Sequence, residues 1–154
     1  MEDYGEYVEL LRQMVSIPSP SFEEQGVLGL LCSFFEKKGL PYRIDRGNLI
    51  SVCSGFDPSR KTLVLDAHID TVPAAQGYTR DPFDPGKEEQ TVWGLGSNDD
   101  GGSVVSMIAA FRHFFNSPLS FNLALALTVQ EERSGSDGAC YLYSPEGPLG
   151  GGGE

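Results

Sequence analysis

A histidine and two aspartates follow an apolar run in the segment TLVLDAHIDTVP, residues 62–73. His68 and Asp70 are two positions apart, so on an extended chain their side chains point to the same side. A metal-binding histidine normally donates its other ring N–H to a carboxylate or a carbonyl group. The pair can be a metal ligand with its orienting partner, two neighbouring ligands, or a histidine at the core edge bonded to an aspartate. Asp66 lies deeper in the apolar run, which favours a structural hydrogen bond.

A second polar group lies in GLGSNDDGG, residues 94–102. Its glycines permit positive φ angles and close backbone approach, as a phosphate-binding loop requires. The segment matches neither GxxxxGK[ST] nor GxGxxG, however, and its two aspartates would repel a phosphate. Asp99 and Asp100 suit a cation better, and the alternative is an ordinary Asn-Asp-Gly turn.

A third polar group, VQEERSGSDG at residues 129–138, follows the apolar run FNLALALTV. Adjacent residues at the end of a strand point to opposite sides, so Glu131 and Glu132 are expected to do different work. One can hold a metal while the other takes a proton from an activated water molecule. The alternative is a solvated acidic turn.

Together the three segments predict a metal site more strongly than any one of them does alone. Each follows a predicted strand, and ligands of α/β sheets bind outside the carboxyl ends of the strands. Imidazole and carboxylate groups suit zinc, and one carboxylate can bridge two ions in a two-metal site.

The composition is that of an acidic, folded protein. The chain has 154 residues, 40% hydrophobic and 10% aromatic, which predicts a single globular domain. A formal charge of −11 argues against a nucleic-acid partner. Three widely spaced cysteines argue against a disulfide framework or a thiolate zinc site. No apolar run has the length of a signal peptide or a membrane span, so we expect a cytoplasmic protein without a membrane partner.

An α/β sheet covered on both faces is expected to position these residues. Apolar spacing predicts helices over residues 3–16, between Ser21 and Gly39, and over 103–115. Ser21 and Glu24 match a capping box at the start of the second helix, and Gly39 matches its end. Strands are predicted over residues 49–53, 62–67, 90–95 and 121–129.

Four segments resemble the M20 metallopeptidase and deacylase family in their order and spacing. They are LDAHIDTVP, GYTRDPF, VWGLGSNDDGG and VQEERSGSDG, and the resemblance runs from about Tyr7 to about Tyr143. The resemblance implies a mixed, mostly parallel sheet with helices on both faces, as in zinc aminopeptidase/phosphorylase-like catalytic domains. GLGSND most resembles the acetylornithine deacetylase branch, which implies hydrolysis of the amide bond of an N-acyl amino acid. Carboxypeptidase, dipeptidase and desuccinylase activities are the alternatives within the family.

The resemblance also implies a role for each of five residues. His68 would bind one zinc, Asp70 would support that histidine, and Asp99 would bridge two metals. Glu132 would bind the second zinc, and Glu131 would act as the general base. Two Zn²⁺ ions are implied, with Co²⁺ or Mn²⁺ as alternatives, together with an N-acyl amino acid or short peptide as substrate and a possible homodimer of the full-length protein. The peptide bond after the bridging aspartate is expected to be cis.

Three other polar residues match no metal ligand of the family. His113 is expected on the surface or in packing. Arg80 is expected either to face an acidic substrate or to pair with Asp81 or Asp84. Asp100 occupies a position that is usually small or apolar in the family, so no role is assigned to it.

The chain departs from the family after the third polar group. The family's further metal carboxylate, its lid domain and its distal histidine have no counterpart in the sequence. We therefore expect residues 1–143 to form the N-terminal part of a di-zinc catalytic domain, incomplete at its C-terminus, and residues 144–154 to form a Gly-rich tail. Two hypotheses remain, a metal-dependent hydrolase of which this is one part, and a truncated non-catalytic chain with at most weak metal binding.

Overall fold

The computed structural model of the protein describes residues 4–150. The three long helices are α1 (Gly5–Val15), α2 (Gln25–Lys38) and α3 (Gly101–Phe114). The strands are β1 (Arg43–Asp45), β2 (Asn48–Val52), β3 (Thr62–His68) and β4 (Asn122–Thr128), the last two flanking α3 in the chain. A 3₁₀ turn over Glu131–Arg133 and a short helix α4 (Ala139–Leu142) follow β4. Within residues 4–150 no helix is both long enough and apolar enough to span a membrane.

The four strands form one mixed sheet in the order β1-β2-β4-β3. The predicted mixed α/β fold is confirmed, but it is not mostly parallel over the described residues. Only β3 and β4 run parallel, whereas β2 pairs antiparallel with both β1 and β4. The physical reason is a two-residue hairpin at Arg46 and Gly47, both at positive φ, which reverses the chain directly between β1 and β2.

Both faces of the sheet are covered. Leu125 and Leu127 of β4 pack in the main core with apolar residues of α1, α2 and α3. Ala126, between them, points to the opposite face and packs in a smaller cluster with Leu142 of α4 and with Leu149. Leu149 of the predicted tail therefore contributes to this cluster, while residues 151–154 lie outside the described residues. The predicted domain boundary at residue 143 stays a prediction.

The predicted strand over residues 90–95 is wrong. The backbone folds back there, because the N–H groups of Trp93 and Leu95 donate to the carbonyl oxygens of Pro85 and Pro82. Gly94 makes the fold-back possible at a φ of +104°, where an added Cβ would lie 2.4 Å from a methyl group of Val15. The predicted end of α2 at Gly39 is confirmed by its left-handed conformation.

The predicted capping box at the start of α2 is also wrong. The helix begins at Gln25, and no side chain caps it. The Ser21 hydroxyl donates to Asp70 instead, and the Glu24 carboxylate accepts from the backbone of Phe22 and Gln130. Each side chain is thus held by a partner that lies far away in the sequence, Ser21 by Asp70 and Glu24 by Gln130.

Asn48 ties β2 to the segment that follows β4. This fully buried side chain donates to the carbonyl oxygens of Asp45 and Asp137 and accepts from the N–H of Val129. We expect Asn48→Ala to lower the free energy of unfolding by about 2–4 kcal/mol, because it leaves buried backbone groups without partners. Urea denaturation measures the loss. Exposed Asn116→Ala should change the free energy by less than about 0.5 kcal/mol, and equal losses in the two variants would contradict this account.

Candidate metal centre

The candidate site lies at the carboxyl ends of β3 and β4. These parallel neighbours end side by side, with His68 opposite Thr128 in the register. The polar residues that follow each strand therefore meet at one edge of the sheet, as the sequence predicted. Asp99, from the loop before α3, reaches the same place, with its carboxylate oxygen 3.1 Å from Nε2 of His68.

The ring of His68 is fixed at both nitrogens. Its Nδ1 lies 2.9 Å from the carbonyl oxygen of Asp70, and because a carbonyl can only accept, Nδ1 carries the hydrogen. In the neutral ring the lone pair of Nε2 then faces Asp99. The side chain is only 11% exposed, so little solvent competes for the ring.

Asp70 organises the site through its side chain as well as its backbone. Its carboxylate is 1% exposed and lies 3.4 Å from Nδ1 of His68. One oxygen accepts from the N–H of Glu131 at 3.0 Å, and the other accepts from the N–H of Glu132 at 3.1 Å and from the Ser21 hydroxyl at 2.6 Å. Burial alone would raise the pKa of Asp70, but the neighbouring His68 ring and these hydrogen bonds outweigh it and lower the pKa.

Three side chains bring possible metal ligands together. One ligand atom each from His68, Asp99 and Glu132 lie within 4.8 Å of one another. Atoms this close together could hold one divalent ion, or two neighbouring ions that share a carboxylate. One imidazole and two carboxylates are a donor set that zinc and related divalent ions accept, and the residues present therefore fit a cation.

The electrostatics of the group also favour a cation. Burial would lower the pKa of His68, but the hydrogen bonds and charges of Asp70 and Asp99 raise it to about 9. Burial raises the pKa of Glu132, and the negative charges of Asp99 and Glu131 raise it further. Carboxylates that repel one another in this way would be relieved by a divalent ion between them.

Glu131 lies beside the group without belonging to it. Its carboxylate oxygen is 3.9 Å from Nε2 of His68, and its side chain is 59% exposed. The side chain of Asp99 is 78% exposed. The site is therefore buried on the side of His68 and Asp70 and open to solvent on the side of Asp99 and Glu131, where a substrate could approach.

Asp100 and Asp66 are not ligand candidates, but both form hydrogen bonds next to the site. The Asp99–Asp100 peptide bond is cis, as the resemblance implied. The Asp100 carboxylate, to which the sequence assigned no role, accepts from the N–H of His68 at 3.2 Å. The structural hydrogen bond predicted for Asp66 is confirmed, since its carboxylate accepts from the hydroxyl groups of Thr128 and Tyr143.

The two remaining polar candidates do not contact the group. His113 is exposed on α3 with its ring 4.7 Å from that of Phe114, which confirms the surface position predicted for it. Arg80 lies over the ring of Trp93 and pairs with Glu88 at 3.6 Å. The predicted ion pair with Asp81 or Asp84 is therefore wrong. The fold-back of residues 82–95 brings these partners to Arg80.

Sequence reasoning missed two residues that hold the parts of the chain around the site, Ser21 through Asp70 and Glu24 through the backbone of Gln130. Their pattern was visible in the sequence, but its interpretation as a local helix cap concealed their distant partners.

We expect Ser21→Ala to lower the free energy of unfolding by about 1.5–3 kcal/mol, because it removes a hydrogen bond to a buried charged group. The matched control is Ser33→Ala, which removes an exposed hydroxyl that bonds within α2. Thermal or urea unfolding compares them, and a Ser21→Ala loss no larger than the control's would contradict the role assigned to this bond.

The comparison with protein families gives the class of the chain. The family model described as peptidase family M20/M25/M40 matches residues 64–151, more than half of the chain. The chain belongs to this family, and its lineage is that of hydrolases that include deacetylases, desuccinylases and peptidases.

Individual relatives agree with this class and differ in their named substrates. A succinyl-diaminopimelate desuccinylase of Delftia acidovorans is 32% identical over 143 residues, which cover 85% of this chain and 37% of the relative. An acetylornithine deacetylase of Proteus mirabilis is 30% identical over 141 residues, covering 83% and 36%. The chain thus spans little more than a third of these curated relatives, and the similar identities do not distinguish one substrate from the other.

The fold also matches a solved structure. A dinuclear metal binding peptidase of the M20 family from Bacillus subtilis superposes with a TM-score of 0.67 at 16% identity. The match covers 90% of this chain and 38% of that chain. The α/β fold predicted from the resemblance is therefore confirmed as that of M20 proteins.

Proposed function

We propose that the protein containing this chain is a metal-dependent hydrolase that cleaves the amide bond of N-acyl amino acids or short peptides. The observation that carries the proposal is the convergence of His68, Asp99 and Glu132 at the carboxyl edge of the sheet, with their ligand atoms within 4.8 Å. The M20 family and the names of the relatives support the same class of reaction.

His68, Asp99 and Glu132 would hold the cation. We favour two Zn²⁺ ions that share Asp99, with Co²⁺ or Mn²⁺ as alternatives. A divalent ion bound there would supply Lewis-acid chemistry, polarising the scissile carbonyl group and lowering the pKa of a water molecule towards neutrality. Asp70 holds His68 in the tautomer whose Nε2 is free to bind, and it fixes the backbone of the two glutamates.

Glu131 would act as the general base. Its carboxylate lies 3.9 Å from Nε2 of His68 but is largely exposed, so it can contact both an attacking water molecule and the substrate. It would accept a proton from that water and later donate the proton to the nitrogen of the leaving amine. Its backbone N–H bond to Asp70 keeps the residue next to the ligands during both transfers.

For the substrate, we propose an N-acetyl amino acid of the acetylornithine type, on the basis of the GLGSND segment. Desuccinylase, carboxypeptidase and dipeptidase substrates are the alternatives. The strongly negative chain, −11 in formal charge, supports a small molecule rather than a nucleic acid.

Removal and return of metal tests this proposal. The protein that contains this chain is treated with a chelator, reloaded with Zn²⁺, Co²⁺ or Mn²⁺, and assayed for free amine released from N-acetylornithine, N-succinyl-diaminopimelate and a dipeptide. We expect hydrolysis of at least one of these only after reloading. Metal-loaded protein that releases no amine from any of them would contradict the proposal and favour a non-catalytic chain.

A further inference from the structure

Glu24 is a buried carboxylate whose hydrogen bonds join distant parts of the chain. It is 4% exposed and precedes the first residue of α2. One of its oxygens accepts from the N–H of Phe22 at 2.9 Å and from the N–H of Gln130 at 3.1 Å. A buried charge is costly unless such bonds are kept, so this carboxylate holds both backbone segments in place.

Gln130 is the residue at which the chain turns from β4 to the glutamate pair. Its φ of +63° lies in the left-handed region that a residue with a side chain rarely adopts. Its N–H is held by Glu24, its carbonyl oxygen accepts from Gly135, and its side-chain oxygen accepts from the N–H of Asp137. The direction in which Glu131 leaves this turn depends on that conformation.

Two carboxylates accept hydrogen bonds from three successive backbone N–H groups at this turn. Glu24 accepts from Gln130, and Asp70 accepts from Glu131 and Glu132. The segments that carry the two carboxylates lie side by side, because the N–H of Thr71 donates to the carbonyl oxygen of Ser19 at 2.9 Å. The segment before α2 and the end of β3 thus jointly fix the backbone from which Glu131 and Glu132 project.

We propose that Glu24 is a positioning residue for Glu131 and Glu132. Its carboxylate holds Gln130 in the left-handed conformation, and this turn directs the Glu132 carboxylate towards His68 and Asp99. As far as the cation is concerned, the inference rests on the function proposed above. Glu24 itself is not one of the three residues of the ligand group and bonds to the backbone of Phe22 and Gln130.

Cation affinity in a set of matched variants tests the inference. We expect Glu24→Ala to bind Zn²⁺ about 10–100-fold more weakly than the unmodified protein, as loss of an outer partner of a metal site typically does. Glu24→Gln should bind within about threefold of the unmodified protein, because its amide oxygen can accept the same two bonds. Glu23→Ala removes an equal charge from the adjacent exposed position and should leave the affinity unchanged. Equal affinity of Glu24→Ala and Glu23→Ala would overturn the inference.

Amide hydrogen exchange of the metal-free protein gives a second measurement that needs no cation. Exchange at Gln130, Glu131 and Glu132 should be at least tenfold faster in Glu24→Ala, with exchange in the centre of β4 unchanged. If the unmodified protein binds no cation, the proposed function fails, and hydrogen exchange alone then tests the positioning role of Glu24. Unchanged exchange at these three residues in Glu24→Ala would overturn that role. If Glu24→Ala does not fold, Glu24→Asp replaces it in both measurements, since it keeps the charge and withdraws the oxygens by one methylene. Unmodified-like behaviour of that variant would overturn the inference.

Discussion

Glu131→Gln is expected to reduce hydrolysis by about 10²–10⁴-fold, the usual contribution of a general acid–base group, and to leave cation binding unchanged. The amide has nearly the same shape as the carboxylate but cannot accept the proton of the attacking water. Glu131 lies outside the group of His68, Asp99 and Glu132, so its loss removes no proposed ligand. Initial rates of amine release and the metal content of the same protein sample measure the two effects.

The neighbouring residue provides the contrast. Glu132→Gln should weaken cation binding, whereas the exposed helical variant Glu9→Gln should alter neither property. A Glu131→Gln variant that loses its metal, or that hydrolyses as fast as the unmodified protein, would contradict the separation of roles between the two glutamates.

Asp70→Ala is expected to damage both stability and metal binding. Its fully buried carboxylate accepts three hydrogen bonds, from the hydroxyl of Ser21 and from the N–H groups of Glu131 and Glu132. Loss of the acceptor should lower the free energy of unfolding by about 3–5 kcal/mol, because buried donors are left unpaired beside a buried histidine. That is a large part of the about 5–15 kcal/mol that stabilises a typical domain. Cation affinity should fall by about 10–100-fold, since the backbone of the two glutamates loses its acceptors and Nδ1 of His68 loses the neighbouring carboxylate.

Urea denaturation and zinc titration measure these two losses. The control is Asp81→Ala, an exposed loop aspartate that accepts from the backbone N–H of Phe83. It should lower the free energy of unfolding by less than about 1 kcal/mol and leave cation affinity unchanged. Equal behaviour of the two variants would contradict the organising role of Asp70.

The strands and long helices could be predicted because apolar periodicity is a local property of the sequence. β2, β3, β4 and the three long helices lie within a few residues of their predicted positions. The meeting of the polar segments after β3 and β4 followed from this, since these parallel neighbours end at one edge of the sheet. Asp99 reaches the same edge from the loop before α3, because the strand predicted before it does not form. The individual catalytic and ligand roles came from resemblance to the family, and they stay predictions that the variants above test.

The parts that could not be predicted depend on contacts between distant residues. Ser21 is 49 positions from Asp70, and Glu24 is 106 positions from Gln130. A local pattern of serine and glutamate fits a helix cap equally well, and only the folded chain decides between the partners. The apolar segment at residues 90–95 likewise has the composition of a strand. In the folded chain, however, the N–H groups of Trp93 and Leu95 bond to a loop and not to a neighbouring strand.

Zinc stoichiometry and affinity of this chain, measured beside Asp99→Ala, test the central claim most directly. Asp99 is the proposed shared ligand, and its exposed side chain should be removable without disturbing the core. Asp81→Ala, again an exposed aspartate of equal charge, serves as the control. We expect Zn²⁺ to bind to the unmodified chain and to the control with similar affinity, and binding to be lost in Asp99→Ala. No binding to the unmodified chain, or equal binding in all three, would contradict a metal centre at this edge of the sheet.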